Sequence, residues 1–252
     1  MWYFVKKYLL AYSSSILFLL IIQGCSSREV VENRSTPKEE IIVPKGRKIL
    51  KNIEFEERDL IKIQKIKSVD KIRFDYTSHG KLFNSRKISQ IKYDTNGYQT
   101  ETIFYNSKNK IVTRYSYKYS ANGFRIETTL YNLKGKPEKN FTYEYDKNGN
   151  KIKVMQYSVS GVLEKYYLYQ YDDNSNLVGE IWYGADGNLE NKIINEYDSY
   201  GNKILSSEFS SDEKLKEKIR YEYDRLGNVI EEIIFDPEGN KTGLIQYVYK
   251  YY

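Results

Sequence analysis

The chain has 252 residues, of which 40 % are hydrophobic and 29 % charged, so a folded domain is expected and wholesale disorder is excluded. Forty basic against 34 acidic side chains leave a net charge of +6, a salted surface rather than a nucleic-acid patch. A single cysteine excludes a disulfide-stapled fold.

The chain opens with Met1–Tyr8, which carries Lys6 and Lys7 and no acid. An apolar run follows, dense from Ile16 to Ile22, and then Gln23-Gly24-Cys25. A basic start, a short apolar stretch and a small residue before the cut describe a secretory signal, with a plain N-terminal membrane anchor as the alternative. Ile22-Gln23-Gly24-Cys25 resembles the lipobox of bacterial lipoproteins. The resemblance implies cleavage after residue 24 and a diacylglyceryl group on Cys25, which tethers the mature chain to a membrane of the cell envelope. Ser26 and Ser27 fit the lipoprotein rule for export beyond the inner membrane, to the outer membrane or cell surface. Loss of Lys6 and Lys7 takes the charge to +4. Export also argues against a nucleic-acid partner.

Residues 25–52 hold Pro37, Pro44, Gly46 and the charged runs Arg34–Glu40 and Lys45–Lys51, and read as a linker. From Ile53 the pattern alternates, as in Ile53-Glu54-Phe55-Glu56 and Ile72-Arg73-Phe74, and predicts strands. Tyr76–Gly80 resembles the second half of the unit that follows, yet reaches Tyr93 three residues late. Residues 53–92 are therefore read as a degenerate repeat or cap.

Residues 93–252 are organised by one element, Tyr143-Glu144-Tyr145-Asp146-Lys147-Asn148-Gly149-Asn150. Its Tyr145 position returns at Tyr93, Tyr119, Tyr171, Tyr197, Tyr223 and Tyr249, each 26 residues from the last. A fixed period of this size marks a repeat architecture. Each unit has two turn signals. At the first, Asp94, Asp146, Asp172, Asp198 and Asp224 can accept a backbone hydrogen bond. Gly97, Gly123, Gly149, Gly201 and Gly227 supply the left-handed residue of a type I turn with a G1 bulge. The unit is thus a β-hairpin. The fold class is all-β: an elongated antiparallel meander of six tandem hairpins plus a terminal strand, as a single-layer or coiled sheet. At about 4.8 Å per strand, the stack of about twelve strands would extend for roughly 58 Å.

The strands entering each anchor place Tyr115/Tyr117/Tyr119, Phe141/Tyr143/Tyr145 and Tyr167/Tyr169/Tyr171 on one face. In the outgoing strands Ile126, Ile152, Val178, Ile204 and Ile230 are out of phase with Tyr131, Tyr157, Tyr183, Phe209 and Phe235. A bulge after the glycine, or partial burial of both faces, would reconcile them. The tyrosine ladder packs the sheet, and Tyr143, Tyr145, Tyr167, Tyr169 and Tyr171 are candidates for stacking a ligand. The apolar terminal strand Leu244–Tyr252 reads as an edge able to pair with another copy.

The Tyr-x-Tyr-Asp-x-x-Gly-Asn core, as at Tyr143–Asn150 and Tyr221–Asn228, resembles the YD repeat of the Rhs and teneurin families. The 26-residue period is closer to the two-strand units of MORN-type arrays. The resemblance implies a β-repeat fold with a general binding character. His79, the sole histidine, falls in a turn and reads as a solvated residue. With Cys25 acylated, no Ser-His-Asp, Cys-His or metal-ligand set can be assembled. The expectation is a non-enzymatic envelope lipoprotein without metal or cofactor, which binds a protein or glycan. The alternative is a structural or assembly lipoprotein acting through its C-terminal edge strand.

Overall fold

The computed structural model describes residues 53–252; the signal, Cys25 and the linker lie outside the described residues. A helix, α1 (Ile53–Ile63), precedes fourteen strands. They are β1 (Ile66–Tyr76), β2 (Leu82–Tyr93), β3 (Gln99–Tyr105), β4 (Ile111–Tyr119), β5 (Arg125–Tyr131), β6 (Pro137–Tyr145) and β7 (Lys151–Ser158). Then come β8 (Leu163–Tyr171), β9 (Leu177–Gly184), β10 (Leu189–Tyr197), β11 (Lys203–Ser210), β12 (Leu215–Tyr223), β13 (Val229–Phe235) and β14 (Lys241–Tyr251). Every strand pairs antiparallel with its sequence neighbours, and β1 also pairs with β14. The meander is a closed barrel.

The structure corrects three expectations. The hairpins do not stack into an elongated open body; strand twist, accumulated over the array, brings its ends together. The terminal strand is no edge, because Val69 faces Tyr249 and Lys71 faces Tyr247 across the seam. Pairing with another copy through it would require opening the barrel. At the N-terminus, the brief alternation Ile53–Glu56 is helical. Four alternating residues are too few to impose a period, whereas Glu56, Glu57 and Arg58 favour helix. Ile61 enters the core from α1 while Ile63 stays exposed. The extra length between Tyr76 and Tyr93 is absorbed as two register shifts between β1 and β2.

The corners follow the sequence. Oδ1 of Asp146 accepts from the Asn148 and Asn150 amides at 2.8 Å each, and Asp94, Asp172, Asp198 and Asp224 repeat the pattern. Where Ser120 replaces the aspartate, its hydroxyl takes the Phe124 amide at 3.1 Å. Gly97, Gly123, Gly149, Gly201 and Gly227 have φ between 82° and 85°, as the bulge requires. The second corners, such as Asn132–Lys136, close with the same backbone bonds.

The phase conflict of the outgoing strands is resolved by a bulge at each corner, for example between Lys118 and Tyr119 opposite Arg125. It turns Ile126 outward together with Glu127 and Tyr131, while Arg125, Thr128 and Leu130 face inward. The anchor tyrosines secure these bulges. The hydroxyls of Tyr119, Tyr145, Tyr171, Tyr197, Tyr223 and Tyr249 each donate to the backbone carbonyl twenty residues earlier, at 2.7–3.2 Å. That carbonyl belongs to the first residue of the previous hairpin's outgoing strand. The repeated tyrosine is thus a bolt between units as well as a core ring.

The seam is fastened on its outer side by Asp70. Its carboxylate meets Lys87 at 2.8 Å and Gln90 at 2.7 Å on β2, and Lys250 at 2.9 Å on β14. Burial raises its pKa, but these partners outweigh burial and hold it below the ordinary 3.8. A depressed carboxylate stabilises the fold above its unfolded pKa, and the contribution drains as pH falls from about 4 through the folded value. Asp70→Asn is therefore expected to cost about 1–2 kcal/mol at neutral pH and to flatten the loss of stability below about pH 4. Urea midpoints at acid and neutral pH check this. An unchanged acid limb would show that the seam does not depend on this carboxylate.

Candidate functional site: the two mouths of the barrel

The stacking candidates lie inside. Tyr167 is 0 % and Tyr169 5 % exposed. Tyr143 and Tyr171 pack against the same core cluster. The Tyr143 hydroxyl meets Thr128 at 2.5 Å, and Tyr145 bonds the Arg125 carbonyl. Burial pushes the Tyr167 phenol well above its usual range. The ladder is a core, which corrects its candidacy as a ligand-stacking platform. His79 is exposed in its corner, as the sequence suggests.

The interior also holds charge that the turn-centred sequence reading missed. Lys71, 1 % exposed, pairs with Glu232 at 3.0 Å and lies 4.4 Å from the Tyr247 ring centroid. The Tyr247 hydroxyl also donates to Glu232. Burial lowers the Lys71 pKa, against the opposing pull of Glu232. Arg125 bonds Gln99 at 2.8 Å and lies over the Tyr117 ring at 4.5 Å. No period-2 count from the anchors reaches Lys71 or Glu232, because β1 carries no anchor and the corner bulge re-phases β13.

At the mouth formed by the aspartate corners, α1 lies against the turns. Arg58 donates to the Gly123 carbonyl at 3.3 Å and covers the Tyr98 ring at 4.7 Å. Phe55 packs on Phe124 at 4.9 Å, and Gln64 reaches Asn228 at 3.1 Å. The helix thus touches two of the six corners of this end, and Gln64 just after it touches a third.

The opposite mouth carries a belt of ion pairs and lysine hydrogen bonds between successive hairpins. Lys139 meets Glu164 at 2.5 Å, Lys165 pairs with Glu190, and Lys216 bonds Asn191 at 3.0 Å, each spanning 25 residues. Lys139, Lys165 and Asn191 share the inward phase of Phe141, Tyr167 and Ile193, so the belt lines the rim. Above it project the second corners, several tipped by exposed aliphatic residues.

The outer wall is polar. Glu101 bridges Lys92 at 2.8 Å and Arg114 at 3.4 Å, Lys118 pairs with Glu127 at 2.8 Å, and Glu144 approaches Lys153 at 3.5 Å. A membrane-spanning barrel instead presents an outward apolar band about 25 Å tall. Apolar-in, polar-out is the arrangement for a barrel standing in water.

No family model matches the chain, and no curated protein does. Among solved structures, a porin-like protein from Bacteroides uniformis aligns at 10 % identity and TM-score 0.43, over 73 % of this chain and 98 % of that one. A Photorhabdus luminescens Tc holotoxin pore aligns at 14 % identity and TM-score 0.19, over 69 % of this chain and 14 % of that one. A porin-like protein from Bacteroides vulgatus aligns at 11 % identity and TM-score 0.34, over 71 % and 97 %. Likeness at these scores carries no argument about what the chain does.

Proposed function

We propose that the chain is a bacterial envelope lipoprotein: a water-facing, non-catalytic barrel, tethered through Cys25, that serves as a binding scaffold for a protein or glycan partner. The observation that carries this reading is the outward ladder of cross-strand ion pairs on a closed barrel with a tyrosine core. Such a wall has no place in hydrocarbon, so membrane attachment falls to the N-terminal lipid. Without a stacking ladder or an open strand edge, partner binding falls to the corners at the two mouths.

The test is release. Cutting the chain between Cys25 and Ile53 is expected to free the barrel from membranes into a high-salt wash, without detergent. Cys25→Ala is expected to abolish acyl labelling. Retention of the cut barrel through salt and carbonate would mean the strands cross the bilayer, and acyl label on the Cys25→Ala chain would discard the lipoprotein reading.

A further inference from the structure

The seven corners at the mouth opposite α1 divide by chemistry. Four adjacent ones, residues 77–81, 106–110, 132–136 and 158–162, carry Leu133, Val159 and Val162, and Leu82, Phe83 and Ile111 open the strands that leave two of them. All six are exposed, Leu133 by 70 % and Val162 by 62 %. The same four corners hold five lysines, Lys81, Lys108, Lys110, Lys134 and Lys136, and no acid. The other three, residues 184–188, 210–214 and 236–240, hold Asp186, Asp212, Glu213, Asp236 and Glu238 against one lysine. That lysine, Lys214, is paired with Asp212 at 2.5 Å. One half of the rim is therefore apolar and positive, the other polar and negative.

We propose that the apolar, lysine-bearing half of this rim docks on an anionic lipid surface. Lysines near such a surface attract it electrostatically, and the aliphatic tips reach past the headgroups while the corner backbones stay hydrated. The composition separates this occupant from a protein. Protein hot spots favour Trp, Tyr and Arg, and interfaces are depleted in Lys; these tips have five lysines and no Trp, Tyr or Arg. The tips also stand apart, about 10 Å from one hairpin to the next at two strands each, which suits shallow insertion better than a single deep contact. The acidic half is repelled by the same surface, so the barrel docks tilted. A nine-residue strand rises at most about 30 Å, and the contour length of the 27 residues between Cys25 and Ile53, at about 3.5 Å each, far exceeds that. The rim can therefore reach the bilayer that holds the tether.

Residues 53–252 contain all fourteen described strands, the closed seam and both core clusters, and lack Cys25. The behaviour of this segment is thus independent of the acylation test above. Sedimentation with phosphatidylcholine vesicles, with and without phosphatidylglycerol, reads the proposal directly. Binding is expected only with the anionic lipid, and it should weaken with salt. Lys134→Glu with Lys136→Glu is expected to reduce it at least about tenfold, each lysine contributing about fivefold. Leu133→Ser should reduce it severalfold, and Lys214→Glu should leave it unchanged or lower it only slightly. Circular dichroism confirms that each variant unfolds cooperatively. Equal binding to neutral vesicles, no vesicle binding, or no effect of the Lys134 and Lys136 changes overturns the proposal. Retention on immobilised polyglutamate without vesicle binding overturns it too, and would assign the rim to an acidic polypeptide.

Discussion

Lys71→Met is expected to destabilise the barrel by about 3–5 kcal/mol, because it strands a carboxylate rather than merely deleting a contact. Glu232 is 7 % exposed and faces Lys71 across the barrel interior. With the ammonium gone, it keeps the Tyr247 hydroxyl but has no adjacent cation at hydrogen-bonding distance. Lys203, near enough to oppose the Lys71 charge, gives only distant compensation. Replacing both partners by Lys71→Met and Glu232→Leu removes the uncompensated charge and keeps most of the volume. The double variant should return to within about 1–2 kcal/mol of the native chain. Urea unfolding of the segment 53–252 measures all three stabilities. A single variant as stable as the native chain, or a double variant no better than the single, would show that the pair does not behave as a unit.

This pair shows where sequence reading stops. Lys71 and Glu232 lie 161 residues apart, and nothing local to either marks it as buried. What brings them together is closure, which depends on twist summed over fourteen strands and on registers fixed one corner at a time. The corners themselves were legible: an aspartate or its substitute, then a left-handed glycine, replaced once by Ser175, written out every 26 residues. So was the inward face of each entering strand, from Tyr115 to Tyr249. The outgoing strands were ambiguous because the bulge that re-phases them follows from the corner geometry, not from their own side chains. The terminal strand did carry an unused signal. Leu244-Ile245 and Tyr247-Val248-Tyr249 are apolar on both faces, a pattern suited to a strand flanked on both sides, whereas an exposed edge is usually blunted by charge. Closure also removes the near-additive energetics of an open repeat array, since loosening any hairpin loosens the seam at Asp70. The binding surface was less legible still: the tyrosines that looked available form the core, and the exposed apolar residues sit one or two to a corner, a grouping that appears only when the hairpins are arranged in a ring.

The seating of α1 on its mouth yields a graded series at three glycines that share one backbone conformation. Gly161, Gly123 and Gly97 have φ of +80°, +85° and +82°, so alanine at any of them pays the left-handed penalty of about 1–2 kcal/mol. Around Gly161 an added methyl meets nothing within 4 Å, and Gly161→Ala should cost that penalty alone. At Gly123 the methyl would come 2.4 Å from Arg58 Nη1, the end of a flexible side chain that can swing aside at the loss of one hydrogen bond. Gly123→Ala should therefore cost about 1 kcal/mol more. At Gly97 the methyl would fall 2.1 Å from the Arg58 backbone oxygen, which cannot move without the helix. Gly97→Ala must lift α1 from the corner, withdrawing Ile61 from the core, and should cost about 3–5 kcal/mol in all. Faster amide exchange along residues 53–63 should accompany that loss and be absent in Gly161→Ala. Equal costs at Gly97 and Gly161 would mean that α1 does not rest on this corner, because backbone strain is common to both and only the helix distinguishes them.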